Sequence, residues 1–342
     1  MQQARWFQCP GCDRVVTSMV RENPDPGPHH YYSSTHCCKT CEQGAGHDAD
    51  KWACASVPRE HFRQVTLSSG VQHYLRHDPK KAGPCPVLLF LHGANTYIYP
   101  ETLWWDLEKL VSNNRKVEED FIVLAPFGSI GEPVVHPSEW NKRNRYQVEV
   151  PYVKCFDVDR LWEFMIAALR ELGPRADVKR LSVTGFSMGG QATWAMAYRF
   201  GSHLAAAAPL AACCAWQDDA WEREEDLLQQ LQRLPVWAYC GEGDTKTVSW
   251  RDFWWLADQR GYPTQAETRE ESVDGQGIEA TMYSWAADLE LGLVRGTWSS
   301  HSMWEPVYHN EAVFQLFTRL EAARCSNVPQ IWDQGAEMRK KK

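Results

Sequence analysis

The fold is decided by residues 180–198, which read RLSVTGFSMGGQATWAMAY. The apolar, β-branched run 180–184 predicts a strand, and the helix-prone stretch 191–198 predicts a helix. Between them, residues 185–190 read GFSMGG and match the pattern G-x-S-x-G. A strand, a sharp turn that carries serine and a helix are the context of a serine nucleophile. Ser187 is therefore the candidate nucleophile; the alternative is an ordinary glycine-rich strand–helix turn.

The glycines of this turn have a steric explanation. A turn this tight strains the serine backbone, so the residues two before and two after it must lack clashing side chains. Gly185 and Gly189 occupy those two positions, and Gly190 lets the helix begin close to the sheet. The helix N-terminus directs backbone N–H groups and the positive end of its dipole towards charge that develops beside Ser187.

The rest of the chain alternates between strand and helix patterns. Short apolar runs without alternation, typical of strands buried on both faces, recur at 87–91, 121–125, 181–184, 204–208 and 236–240. Apolar residues at helical spacing predict a helix over 158–172, and 250–260 and 312–323 are further candidates. Residues 65–67 and 72–75 flank a turn containing Gly70 and predict a hairpin. This order predicts an α/β fold with a mostly parallel central sheet covered on both sides.

Cysteine usage divides the chain. Six of the twelve cysteines lie within the first 54 residues of 342. We predict a small Cys/His-rich module at 1–60, one α/β domain at 61–325 and a basic C-terminal tail at 326–342.

Charge and hydropathy exclude several classes of protein. The net charge of −8 argues against a nucleic-acid partner. The longest apolar stretch, 204–216, is too short for a membrane span of ~20 residues and contains a proline. The N-terminus lacks the apolar segment of a secretory signal, so we expect a cytoplasmic protein with reduced thiols.

A serine nucleophile needs a general base, and the base needs an acid that fixes its tautomer. Asp244, in the sequence CGEGD after the run 236–240, is the acid candidate, with Glu242 as a nearby rival. His301 precedes the last predicted helix and is the candidate base. His309 is its only competitor downstream of Asp244. The order serine, acid, histidine is that of an α/β hydrolase.

Two backbone N–H groups should stabilise an oxyanion, those of Met188 and Ala94, the latter in the loop that leaves the first buried strand. His92 in that loop is interpreted as structural. The aromatic side chains that could line a substrate pocket, each of which also fits the core, are Tyr97, Trp104, Trp105, Trp140 and Trp304. The insertion at 128–157 contains several basic residues and fits either a lid or a surface excursion.

The stretches 91–93, 180–190, 235–244 and 301–308 together resemble the α/β-hydrolase superfamily. They are most similar to the group of polyhydroxybutyrate depolymerases, feruloyl esterases and predicted peptidases, over about residues 60–325. The resemblance implies hydrolysis of a small-molecule ester through an acyl-enzyme on Ser187, with no cofactor for catalysis. The sequence departs from the group at Glu305-Pro306-Val307, and its final helix lacks the usual closing Trp-Leu.

Two other functions remain open at this point. A serine peptidase acting on short peptides would use the same residues, but His301 would then have to protonate a leaving amine. A non-catalytic binding protein would keep the hydrolase fold only as a support. The ordered set Ser187, Asp244 and His301 favours an enzyme.

The N-terminal module carries two C-x-x-C pairs, Cys9 with Cys12 and Cys38 with Cys41. Such pairs can chelate a tetrahedral zinc ion, so we predict a structural zinc site. In an oxidising compartment, disulfides become the better interpretation. The module could also bind a protein partner.

Overall fold

The structure is a computed structural model. It describes residues 5–8, 15–18, 41, 43–44, 62–68, 73–93, 102–112, 114–126, 156–212, 234–241, 264–273, 276–285, 289–295, 304–309, 311, 314 and 317. Within these ranges, the side chains that lie outside the described set are those of 5–8, 15–18, 64, 73, 102, 104–105, 108–109, 240–241, 264–295, 305–306 and 309.

Twelve strands and five α-helices have defined bounds in these residues. The strands are β1 (Arg5–Gln8), β2 (Val15–Ser18), β3 (Arg63–Thr66), β4 (His73–His77), β5 (Cys85–Leu91), β6 (Ile122–Pro126), β7 (Ala176–Phe186), β8 (Ala206–Leu210), β9 (Val236–Gly241), β10 (Thr264–Val273), β11 (Gln276–Trp285) and β12 (Leu289–Arg295). The helices are α1 (Thr102–Val111), α2 (Arg115–Asp120), α3 (Val158–Leu172), α4 (Met188–Phe200) and α5 (Trp304–His309). Short 3₁₀ turns follow α3 and α4, at Gly173–Arg175 and Gly201–His203.

Ten strands form one sheet in the order β10-β11-β12-β9-β8-β7-β5-β6-β4-β3. The six strands from β12 to β6 are joined by parallel pairings, and antiparallel strands extend the sheet at both edges. The prediction of an α/β-hydrolase fold with a mostly parallel central sheet is confirmed. Parallel strands carry their C-terminal ends at the same edge, so the ends of β5, β7, β8 and β9 face the same side.

Burial explains why the sequence signals of the central strands were strong. All residues of β5, β6 and β8 are buried, which matches their unbroken apolar runs. Helix α3 has the predicted bounds, and the Asp157 carboxylate caps it by accepting from the backbone N–H groups of Asp159 and Arg160. The hairpin is also confirmed, since Thr66 pairs with His73.

Three strands of the ten-stranded sheet, β10, β11 and β12, were not predicted from the sequence. β10 reads TQAETREESV and pairs with β11, which in turn pairs with β12, and both pairings are antiparallel. Their polar residues hide the apolar runs on which the strand predictions depended. The candidate helix at 250–260 lies outside the described residues, whereas Phe314 and Phe317 of the candidate at 312–323 are helical and fully buried. Among the described helices, none has the length and apolar character needed to span a bilayer.

Candidate active site

Ser187 lies between the end of β7 and the start of α4, at the C-terminal edge of the sheet. Its backbone has φ 54° and ψ −119°, which is the left-handed side of the map for a residue with a side chain. The Ser187 N–H donates to the Leu210 carbonyl at 2.9 Å, and the Ser187 carbonyl accepts from the Gln191 N–H at 3.0 Å. These two bonds fix the strained turn between β8 and the first turn of α4. The residue is only partly buried, unlike Phe186 and Met188 on either side of it.

The glycines around Ser187 allow a close approach of the turn to β5. A Cβ atom at Gly185 would lie 2.5 Å from the Leu91 carbonyl oxygen, and one at Gly189 would overlap the same oxygen. Gly190 faces β8, where an added Cβ would lie 2.7 Å from the Ala212 Cβ. The predicted steric reason for these glycines is therefore confirmed.

Met188, the first candidate for an oxyanion donor, is the first residue of α4. The first N–H groups of a helix have no partner within the helix and carry the positive end of its dipole. This position suits an N–H donor to an anion that forms beside Ser187. Ala94, the second candidate donor, lies one residue beyond the described part of the loop after β5.

His92 in that loop is fully buried and bonds to the backbone of the next residue. Its Nδ1 lies 2.8 Å from the Gly93 carbonyl oxygen, which can only accept, so Nδ1 carries the proton. Burial lowers the pKa of His92 to about 4, and the hydrogen bond to Gly93 offsets only part of this effect. The ring centroid is 5.0 Å from that of Phe156. This neutral, packed imidazole agrees with the interpretation of His92 as structural.

The acid and base candidates follow described elements without lying in them. Asp244 comes three residues after the end of β9, whose C-terminal end shares the edge of β7 and β8. His301 comes three residues before α5. Both residues, with the rival Glu242, lie outside the described residues, so their roles stay predictions. His309, the competitor of His301, ends α5.

Of the predicted pocket residues, only Trp304 has a described side chain. It is partly buried and stacks on Phe186, with ring centroids 4.3 Å apart and planes at 16°. Tyr97, Trp140 and residues 128–155 of the insertion 128–157 lie outside the described residues. Trp104 and Trp105 lie in α1, where the structure describes the helix but not these two side chains.

Four residues near the site were given no role from the sequence: Phe186, Tyr308, Thr184 and Asn114. Phe186 adjoins the nucleophile in the quoted motif, and Tyr308 is in the quoted stretch 301–308, so a signal existed for both. Thr184 lies in the quoted stretch 180–190 as well, whereas Asn114 carries no such signal. Burial and a smaller electrostatic effect of Asp106 raise the pKa of Tyr308, which a hydrogen bond to Thr184 partly offsets.

Little of the cysteine-rich module falls within the described residues. β1 and β2 pair as an antiparallel two-stranded sheet with Gln8 opposite Val15. Cys41 is buried, while Cys9, Cys12 and Cys38 lie outside the described part of the chain. Within the described residues, no group of three or more potential ligands could hold a metal ion.

Comparison with known proteins places the chain among esterases. The Esterase family model, described as "Putative esterase", matches residues 67–293. None of the curated proteins compared with the chain matches it.

The chain is also similar to several solved structures at low sequence identity. A thermostable esterase has 18% identity and a TM-score of 0.50; the match covers 77% of this chain but only 64% of that esterase. The S-formylglutathione hydrolase from Agrobacterium tumefaciens has 16% identity and a TM-score of 0.44, with 76% and 94% covered. The acetyl xylan esterase from Aspergillus awamori has 15% identity and a TM-score of 0.47, with 75% and 98% covered.

Proposed function

The chain belongs to this esterase family of the α/β-hydrolase superfamily, a family of carboxylic ester hydrolases, and from that premise we propose that it cleaves esters through an acyl-enzyme on Ser187. The observation that carries the proposal is the backbone of Ser187. A positive φ between the end of a central strand and the start of a long helix lifts the hydroxyl out of the sheet.

In the proposed reaction, the Ser187 Oγ attacks the carbonyl carbon of the ester while His301 accepts the hydroxyl proton. The carbonyl oxygen becomes an oxyanion, which the N–H groups of Met188 and Ala94 stabilise. The intermediate collapses, the bond to the alcohol oxygen breaks and His301 donates its proton to that oxygen. Water, which gives a proton to His301, then attacks the acyl carbon. The bond to the Ser187 Oγ breaks, His301 returns the proton to that oxygen and the acid is released. Asp244 orients the imidazole, and no step requires a cofactor.

A fluorophosphonate probe tests this proposal directly, because it reacts covalently with an activated serine. We expect wild type to be labelled and Ser187→Ala to be unlabelled. Ser182→Ala is the matched control, since Ser182 is a buried serine of the same strand, five residues before the turn. It should be labelled like wild type. A folded wild-type protein that resists the probe would overturn the proposal and favour the non-catalytic alternative.

A panel of p-nitrophenyl esters of increasing acyl length, run beside a short peptide p-nitroanilide, then defines the reaction. Hydrolysis of the esters that is lost in Ser187→Ala supports the esterase. Hydrolysis of the anilide with greater kcat/KM than any ester would favour the peptidase instead.

We also propose that the N-terminal module holds a structural zinc ion through Cys9, Cys12, Cys38 and Cys41. The support is the pairing of β1 with β2, which leaves a connection of only residues 9–14 to carry the first C-x-x-C pair. We expect about one zinc per purified full-length chain and loss of that zinc in Cys9→Ala/Cys12→Ala. A folded full-length protein without bound metal would show the zinc proposal to be wrong.

A further inference from the structure

Helix α5 contacts β7 through a stack of two aromatic rings. The Phe186 and Trp304 centroids lie 4.3 Å apart with nearly parallel planes, and the Phe186 side chain is buried. Phe186 directly precedes Ser187 in the chain, and Trp304 comes three residues after His301. The stack therefore connects the neighbour of the nucleophile to the segment that follows the proposed base.

A second contact joins the same helix to the same strand. The Tyr308 and Thr184 hydroxyl oxygens lie 3.5 Å apart, and both side chains are fully buried. Thr184 and Phe186 share one face of β7, about 6.6 Å apart along the strand. Trp304 and Tyr308 share one face of α5, about 6 Å apart along the helix axis. The two spacings match, so α5 runs antiparallel to β7 and its N-terminus lies at the edge that carries Ser187.

The C-terminal end of α5 is also fixed. The side-chain amide of Asn114, which is fully buried, donates to the Tyr308 carbonyl at 2.9 Å. The Asn114 side-chain oxygen accepts from the Val117 N–H at 3.1 Å and so caps α2. Because the amide holds both helices, α5 has little freedom to slide along β7.

The Phe186 ring is confined from the side of β5 as well. A Cβ atom at Gly93 would lie 2.5 Å from the Phe186 Cε2, so the backbone of the loop after β5 lies against the ring. The ring therefore contacts both this loop, which leads to the proposed oxyanion donor Ala94, and the Trp304 indole.

We propose that Trp304 is a positioning residue, which fixes His301 relative to Ser187 by stacking on Phe186. Trp304 lies three positions after His301, so covalent geometry keeps their Cα atoms within about 11 Å. A displacement of about 1 Å between reacting groups can lower a rate about 100-fold. The inference rests on the proposed function, because it assigns Trp304 a part in the same reaction. It differs from the role that the sequence suggested for Trp304, which was to line the substrate pocket.

Kinetics of Trp304→Leu and Trp304→Phe test the inference. We expect Trp304→Leu to lower kcat and the rate of fluorophosphonate labelling about 10- to 100-fold, since the proton acceptor is misplaced. KM for p-nitrophenyl acetate should change little. The acid limb of the kcat/KM profile should move to lower pH, because an imidazolium held less well by a carboxylate loses its proton more easily. Trp304→Phe keeps an aromatic ring on Phe186 and should recover most of kcat.

Trp162→Leu is the matched control, since Trp162 stacks on Phe200 with centroids 4.6 Å apart and planes at 7°, between α3 and α4. Loss of this stack should lower the melting temperature, while kcat per folded molecule stays at the wild-type value. A parallel fall of kcat in this control would mean that any lost stack impairs the enzyme, and would overturn the specific role of Trp304.

The outcomes separate the two proposals. If wild type resists the probe, the proposed function fails. If wild type is labelled and Trp304→Leu is labelled at the same rate, the positioning role is wrong while the proposed function stands. A higher KM with unchanged kcat would assign Trp304 to substrate contact instead. Should Trp304→Leu not fold, Phe186→Leu removes the same stack; a similar fall in kcat supports the inference and an unchanged kcat overturns it.

Discussion

The ends of β7 and β8 use the same backbone geometry for different purposes. Ser187 and Ala211, each directly after its strand, have φ of 54° and 48° and are the non-glycine residues with positive φ among those the structure describes. The residues before them, Phe186 and Leu210, pair in the parallel ladder, so the two bends lie side by side. The Ser187 N–H donates to the Leu210 carbonyl, and the Ala211 N–H donates to the Tyr239 carbonyl at 2.8 Å.

The difference lies in what surrounds each bend. Ser187 is partly exposed and begins a helix, whereas Ala211 is buried, with 1% of its surface exposed, and has no functional group. Ala212, the next residue, lies against Gly190 of α4. Strain at a strand end therefore does not identify a catalytic residue on its own. The bend after β8 shapes the surface on which the turn of Ser187 rests.

The largest expected effect separates the two bends by chemistry. Ser187→Ala should lower kcat/KM for p-nitrophenyl acetate by about 10⁴-fold or more, because the acyl-accepting oxygen is lost. Ala211→Gly, the corresponding change at the other bend, should leave kcat/KM close to wild type. Comparable losses of activity in both variants would mean that the bend after β8 also takes part in the reaction. The two bends would then not differ in role as described.

The second effect concerns the support of the Ser187 turn. Gly190→Ala places a methyl group against the Leu210 carbonyl and the Ala212 Cβ, so we expect a loss of about 1 to 3 kcal/mol in unfolding free energy by urea titration. Ala212→Gly in the same chain should return part of this loss, since it removes one of the two contacts. If the changes in unfolding free energy caused by the two substitutions are simply additive, the segment after β8 does not support the turn in the way proposed.

The end of β5 offers a third kind of strand end, with a buried histidine instead of a strained residue. The pKa of His92 is about 4 in the folded protein and about 6.5 in an unfolded chain. Between these values the unfolded chain binds a proton that the folded protein does not, so stability falls as the pH drops through this window. At pH 4.5 we expect this group to lower the unfolding free energy by about 2 to 3 kcal/mol relative to pH 7.

Urea titrations of wild type and His92→Gln at both pH values isolate this contribution from that of other histidines. The glutamine variant should lose less stability on acidification than wild type. Equal losses would show that His92 is not the residue that makes the loop after β5 sensitive to acid.

The sequence predicted those parts of the molecule whose local pattern and burial agree. β5 is apolar throughout because both its faces are covered, and α3 shows its buried face at helical spacing. β10 escaped prediction because its charged residues give no apolar run, although pairing with β11 makes it a strand. The stack of Trp304 on Phe186 depends on how α5 docks on β7, which no local pattern encodes. Asp244 and His301 stay predictions, since the described residues stop short of both.

Ala211 is the clearest case of a feature that the sequence conceals, because alanine gives no sign of a positive φ. Replacing it with glycine should relieve the strain and raise the unfolding free energy by about 0.5 to 1 kcal/mol, net of the extra freedom of glycine in the unfolded chain. Ala211→Val, which has a branched side chain at the same φ, should lower stability. Urea titration of both variants measures these changes in unfolding free energy. If glycine stabilises less than alanine does, Ala211 carries no strain, and Ser187 alone among the described non-glycine residues would be held in a costly conformation.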